Sequence, residues 1–144
     1  MRALPAGGAP VTVRARKYRI LVVDDEPSVL LTYQMILEQK GYEVVPAPSS
    51  EAARGVLDSE KVDLLLCDLS LGLKASGFEV IEHAHRRQPG LPSLLLTDYA
   101  GKDVNERAQR LGVSVLLKPV DIQEFLASVR AHLSDAHEQK ASGS

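Results

Sequence analysis

Short apolar runs alternate along this chain with longer segments in which apolar residues recur every three or four positions. A strand buried on both faces gives a continuous apolar run, whereas a helix packed on one side gives the longer repeat. The pattern therefore predicts five strands, at Arg19–Val23, Tyr42–Pro46, Val62–Cys67, Pro92–Leu96 and Val113–Leu117. It also predicts five helices, at Pro27–Lys40, Ser49–Glu60, Gly77–Gln88, Lys102–Leu111 and Asp121–Leu133.

The residues that flank these segments support the boundaries. Pro27 suits the first turn of a helix, and Gly41 suits the stop after one. Asp121 and Glu124 have the spacing of a capping box at the start of the last helix. Pro46 and Pro48 cannot donate to a sheet ladder, so the second strand should lie at an edge of the sheet or end early.

Strands that alternate with helices predict an α/β fold, in which a parallel sheet is covered by helices on both faces. Right-handed crossovers leave few possible topologies for such a chain. In open sheets of this kind, the functional crevice lies outside the carboxyl ends of the strands. The residues that follow each predicted strand are therefore the first place to look for a site.

Charge is distributed unevenly between the ends and the body of the chain. The first 17 residues contain four cations and no acid, Arg2, Arg14, Arg16 and Lys17, although the chain as a whole has a net charge of −2. An acidic body argues against a nucleic-acid surface, which needs a basic patch. We expect residues 1–17 to be a flexible basic tail, residues 18–135 to be one domain and residues 136–144 to be a second flexible tail.

Cysteine content and hydropathy bear on the compartment. The single cysteine, Cys67, cannot form a disulfide within the chain, which fits a reducing environment. The apolar runs are far shorter than the roughly 20 residues that span a bilayer, and no signal peptide pattern opens the chain. These features predict a cytoplasmic protein with no membrane partner.

Polar residues of particular types stand at four of the predicted strand ends. The first strand leads to Asp24 and Asp25, the third to Asp68, the fourth to Thr97 and the fifth to Lys118. Each residue alone has an ordinary explanation as a helix cap, a turn residue or a solvated charge. Together they bring carboxylates, a hydroxyl and an ammonium group to one rim of the sheet.

The chemistry of this set points to a metal ion and a phosphoryl group. Clustered carboxylates repel one another unless a cation lies between them. Ligands that are all oxygen, with no His or Cys, favour a hard divalent ion, and Mg²⁺ is the physiological choice. A lysine and a hydroxyl facing such a site suit the oxygens of a phosphoryl group.

Five stretches of the sequence resemble the receiver domains of bacterial response regulators: ILVVDDEPSVL, LLLCDLSL, SGFEVIEHAH, LLLTDYA and LLKPVDIQEFLASV. The resemblance covers about residues 18–135. It implies a flavodoxin-like doubly wound sheet of five strands in the order 2-1-3-4-5, an order that the general rules for such folds also describe. It also implies a signalling domain in a two-component phosphorelay, which catalyses only its own phosphorylation and dephosphorylation.

The resemblance assigns roles to particular residues. Asp68 matches the aspartate that is phosphorylated by a histidine kinase or a histidine phosphotransfer protein. Asp24 and Asp25 match the acidic pair that holds Mg²⁺ together with Asp68, and the backbone carbonyl of Ser70 is implied as a further ligand. Lys118 matches the lysine that pairs with Asp68 or its phosphate.

The remaining assignments concern the conformational switch. Thr97 matches the hydroxyl that turns toward the phosphoryl group, and the bond from Lys118 to Pro119 is implied to be cis. Val115 occupies a switch position that is often aromatic in the family, so this chain has no aromatic side chain there to take part in the switch. An output partner is expected on the face formed by helix four, strand five and helix five, either in a receiver that stands alone or in part of a longer regulator.

Two other functions compete with a phosphorylated receiver. A pseudo-receiver that only binds partners would normally have lost a member of the acidic pair, the acceptor or the lysine, and all are present here. A phosphatase of the haloacid-dehalogenase type needs a second aspartate two residues after its nucleophile, where this chain has Ser70 after Asp68. The sequence therefore favours the receiver.

Overall fold

The computed structural model describes residues 17–72 and 75–143. Within them the five strands are β1 (Arg19–Val23), β2 (Glu43–Ala47), β3 (Leu64–Asp68), β4 (Ser93–Thr97) and β5 (Ser114–Leu117). The helices are α1 (Pro27–Gln39), α2 (Ser50–Ser59), α3 (Gly77–Arg87), α4 (Lys102–Leu111) and α5 (Ile122–Gly143). Except for Lys17, the predicted basic tail lies outside the described residues.

The five strands form one parallel sheet in the order β2-β1-β3-β4-β5, which confirms the predicted doubly wound fold. The strand that contains Pro46 is at an edge, where Pro46 lies opposite Val22 and needs no outer partner. The central strands β3 and β4 are buried along their whole length. Their continuous apolar sequences are explained by this burial on both faces.

Successive residues of a strand point to opposite faces, so each strand contributes to two cores. Leu21 and Val23 of β1 pack on the face covered by α2, α3 and α4. Ile20 and Val22 pack on the other face, which is covered by α1 and α5. On that second face, the ring of Tyr33 stacks on the ring of Phe125 with 5.1 Å between centroids.

Several predicted helix boundaries are confirmed by their capping contacts. Pro27 lies in the first turn of α1, and Gly41 follows that helix with a φ of 91°. The Ser49 hydroxyl accepts a hydrogen bond from the Ala52 N–H at the start of α2. Asp121 accepts one from the Gln123 N–H at the start of α5.

Four predicted strand starts were placed too early, by two residues for β3 and by one residue for β2, β4 and β5. Strand β3 begins at Leu64, and the Val62 N–H donates to the Gln88 side chain, 3.0 Å away, rather than to a neighbouring strand. The side chain of Asp63 accepts from the Arg19 N–H at 2.7 Å. Helix α5 differs at its other end, since it continues past the predicted end at Leu133 and runs through Gly143.

Candidate functional site

The register of the sheet brings the predicted site residues to one edge. Val23 lies opposite Cys67, so Asp24 and Asp68, which are the next position on each strand, are neighbours. Thr97 lies opposite Leu117, and Lys118 comes next along the chain. The four strand ends therefore lie along one edge of the sheet for a reason that was visible in the sequence, namely the parallel order of the strands.

Three carboxylates cluster at this edge. Asp24, Asp25 and Asp68 each offer an oxygen, and these oxygens lie within 4.8 Å of one another. Asp24 is 1% exposed and Asp68 is 7% exposed, whereas Asp25 is open to solvent. This set of hard oxygen donors fits a divalent ion such as Mg²⁺, with one ligand facing the water that such an ion retains.

Lys118 supplies the positive charge of the site. Its Nζ lies 3.1 Å from Oδ1 of Asp68 and 3.5 Å from Oδ2 of Asp24. The other oxygen of Asp24, Oδ1, accepts a hydrogen bond from the Glu26 N–H at the start of α1. Asp24 therefore both fixes the beginning of that helix and holds the lysine. The peptide bond between Lys118 and Pro119 is cis.

The pKa values at the site reflect burial and crowding of like charges. Burial raises the pKa of Asp68, and the charges of Asp24 and Asp25 raise it further, while the hydrogen bond and charge of Lys118 act against them. Burial lowers the pKa of Lys118, but its hydrogen bond to Asp68 and the nearby carboxylate charges outweigh burial and leave the pKa raised. Lys118 is thus held as an ammonium ion beside Asp68, whose negative charge it compensates.

Burial also raises the pKa of the thiol of Cys67, and the charges of Asp68 and Asp24 act in the same direction. Cys67 is fully buried in the core on the α2–α3–α4 side of the sheet. A protonated thiol in this setting is a core residue rather than a redox group.

Thr97 is buried at the end of β4, and its hydroxyl is engaged with the following loop. The hydroxyl donates to the Tyr99 carbonyl at 2.9 Å and accepts from the Tyr99 N–H at 3.1 Å. Tyr99 itself is 71% exposed. Tyr99 was not among the predicted site residues, although a hydroxyl residue two positions earlier is a known signal for this kind of local turn.

The two remaining predicted positions lie at the margin of the site. Ser70 is exposed and forms an isolated antiparallel bridge with Ser76, just before α3. Val115 is half-buried on β5, where it packs against the core on the α2–α3–α4 side of the sheet. The structure places neither side chain in the carboxylate cluster, which agrees with a backbone role for Ser70.

Gly77 opens α3 directly against the end of strand β3. Its N–H donates to the Leu69 carbonyl at 2.7 Å, and a Cβ at this position would overlap the backbone oxygen of Asp68. Only glycine permits this approach, so the start of α3 is fixed relative to Asp68.

The fold and the site together define a receiver of the two-component type. Residues 20–130 match the family model described as "Response regulator receiver domain", and the chain belongs to that family. It is therefore a signalling domain of response regulators. No helix in residues 17–72 and 75–143 combines the length and apolar character needed to cross a membrane.

Individual comparisons agree with this assignment. The transcriptional regulatory protein GlrR of Escherichia coli K12 is 35% identical over 85% of this chain, but the match spans only 27% of that relative. A CheY-like receiver domain from Methanospirillum hungatei superposes with a TM-score of 0.82 at 29% identity, covering 86% of this chain and 99% of the other. A Burkholderia pseudomallei response regulator, with a phosphorylated aspartic acid and a calcium ion, gives a TM-score of 0.73 at 29% identity, covering 88% of this chain and 75% of the other.

Proposed function

We propose that this domain accepts a phosphoryl group on Asp68 from a histidine kinase or a histidine phosphotransfer protein, in a reaction that requires Mg²⁺. The observation that carries the proposal is the position of Lys118, 3.1 Å from Asp68, beside the cluster of three carboxylates. The phosphorylated aspartic acid of the Burkholderia relative supports the same chemistry.

The reaction needs an ionised Asp68 as nucleophile. A carboxylate oxygen of Asp68 attacks the phosphorus of a phosphohistidine, the phosphorus–nitrogen bond breaks, and the imidazole leaves with the electron pair of that bond. Lys118 then neutralises charge on the phosphoryl oxygens, as cationic groups do in phosphoryl transfer generally. Asp24, Asp25 and the Ser70 carbonyl would hold Mg²⁺, which supplies further charge neutralisation when it is bound.

The same site would operate a conformational switch through Thr97. In the resting arrangement its hydroxyl is bound at both ends to the backbone of Tyr99. A phosphoryl group on Asp68 offers a stronger, charged acceptor, so the hydroxyl would leave Tyr99 and turn toward it. That change would release the loop that leads into α4, on the face where we expect the output partner.

Phosphoryl transfer from phosphorylated histidine kinases tests the function directly. Wild-type protein should become labelled, and Asp68→Asn should not, while Asp103→Asn, an exposed acid on α4, should be labelled like wild type. Equal labelling of Asp68→Asn would refute Asp68 as the acceptor. For the switch, NMR shifts on binding of beryllofluoride and Mg²⁺ should concentrate in residues 97–120, whereas shifts confined to the carboxylate cluster would refute it.

A further inference from the structure

Helix α4 is weakly anchored to the rest of the domain. Of its ten residues, Ala108 is the buried one, and Val104 and Leu111 are only partly buried. Most of the helix is polar and faces water. A helix with so little buried apolar surface depends more than usual on individual polar contacts for its position.

Arg107 makes such contacts to α3. Its guanidinium carbon lies 4.5 Å from the centroid of the Phe78 ring, and Nη2 lies 3.0 Å from Oε2 of Glu82. Phe78 and Glu82 are four residues apart, so they lie on one face of α3, one turn apart. The cation thus rests on an aromatic face and is paired with a carboxylate at the same time. We call these three residues the Arg107 clamp.

The two contacts of the Arg107 clamp differ in burial: the Phe78 ring is buried, whereas the Arg107–Glu82 ion pair is exposed to solvent. Phe78 is 4% exposed, and it follows Gly77, whose backbone is in close contact with that of Asp68. The ring is therefore a rigid platform attached to the acceptor strand. The side chains of Arg107 and Glu82 are 41% and 38% exposed, so water and salt compete with their ion pair.

We propose that the Arg107 clamp holds α4 in the resting position and opposes the switch that phosphorylation of Asp68 sets off. This inference rests on the proposed function and adds a regulatory element to it. The loop before α4 is held by Thr97 and Tyr99, and the body of the helix is held by Arg107. Both attachments would have to open before α4 could move.

The geometry makes the clamp sensitive to small movements. A displacement of about 2 Å takes the Arg107–Glu82 pair out of hydrogen-bond range. A contact present only in the resting state lowers the apparent affinity of any ligand that needs the active state. Removing the contact should therefore tighten the binding of a phosphoryl mimic, although Arg107 lies outside the carboxylate cluster.

The first test measures amide hydrogen exchange of α4 without any ligand, in wild type, Arg107→Gln, Glu82→Gln and the matched control Arg110→Gln. Arg110 is an exposed cation on the same helix, so its removal changes the net charge equally. Arg107→Gln should exchange faster across residues 102–111 than Arg110→Gln, with a smaller effect for Glu82→Gln. Equal exchange in the Arg107 and Arg110 variants would overturn the clamp, whether or not the domain is ever phosphorylated.

The second test measures the apparent affinity of the same variants for beryllofluoride in the presence of Mg²⁺. We expect about three- to tenfold tighter binding for Arg107→Gln, an intermediate gain for Glu82→Gln, and no change for Arg110→Gln. A purely structural role would lower the free energy of unfolding and leave affinity unchanged, and that result would overturn the regulatory inference. Absence of binding by wild type would instead refute the proposed function, while hydrogen exchange still decides whether the clamp holds the helix.

Discussion

The ammonium group of Lys118 lies 3.1 Å from Oδ1 of Asp68, at the carboxyl end of the central strand β3. Among residues 17–72 and 75–143, this is the cation that contacts the cluster of three carboxylates, whose oxygens lie within 4.8 Å of one another. Lys118 by itself therefore compensates the negative charge of the cluster only in part. A cluster of this kind costs stability in the absence of a metal, and it is suited to bind one.

The first prediction concerns pH and stability without metal. Burial, and then the charges of Asp24 and Asp25, leave the pKa of Asp68 raised despite Lys118. Because its pKa is raised in the folded state, protonated Asp68 contributes to the stability of the fold. This contribution is fully present below the unfolded pKa of about 3.9. That contribution is lost as the pH rises through the folded pKa. Asp68→Asn should thus be more stable than wild type at neutral pH in chelator, by a margin that shrinks toward acidic pH.

Urea unfolding across the acidic to neutral range checks this prediction, and added Mg²⁺ is its control. A ligand at one hundred times its dissociation constant stabilises the folded state by about 2.7 kcal/mol. Wild type should gain this stability with Mg²⁺, and Asp68→Asn should gain much less. If Asp68→Asn without metal is less stable than wild type at neutral pH, the ionised carboxylate cluster does not destabilise the fold, and the prediction is wrong.

The second prediction concerns Gly77. Alanine at this position would force its Cβ against the backbone oxygen of Asp68, so Gly77→Ala should lower the free energy of unfolding by roughly 1–3 kcal/mol and impair phosphorylation. Gly55, inside α2, is the matched control because a Cβ there meets nothing within 4 Å. Gly55→Ala should stabilise the fold by about 0.5–1 kcal/mol. Equal effects of the two substitutions on unfolding would contradict the close contact.

The third prediction concerns Asp98, an exposed acid directly after Thr97. We expect its charge to repel anionic donors, so Asp98→Ala should speed self-phosphorylation by acetyl phosphate several-fold and change transfer from a kinase less. The alternative explanation for Asp98 is that it caps α4, but the N-cap of that helix is Gly101. Asp103→Ala, which removes an exposed charge within α4, is the control. An unchanged rate at several salt concentrations would mean that Asp98 does not restrict access.

Much of the fold and of the candidate site could be predicted from sequence, for identifiable physical reasons. The strands β3 and β4 are apolar throughout because both faces are buried, and parallel order then brings Asp24, Asp68 and Lys118 together without any need for distances. Boundaries were harder to predict where side chains compete with the sheet. For example, the side chain of Gln88 accepts a hydrogen bond from the Val62 N–H, although the two residues are 26 positions apart in the chain.

Contacts that depend on the third dimension left no signal in the sequence. Arg107 is separated from Phe78 and Glu82 by an entire strand, and each residue has an ordinary reading as a solvated charge or a core ring. Such contacts depend on how helices pack, which periodicity does not specify.

The most direct test of the central claim locates the phosphoryl group by chemical trapping. Borohydride reduces an aspartyl phosphate to homoserine, releasing phosphate, and peptide mass spectrometry then identifies the converted residue. After incubation with acetyl phosphate and Mg²⁺, we expect homoserine at position 68 and unchanged aspartate at 24 and 25. No conversion should occur in chelator. Conversion at Asp24 or Asp25 instead of Asp68, or equal conversion at Asp68 without a divalent ion, would contradict the account.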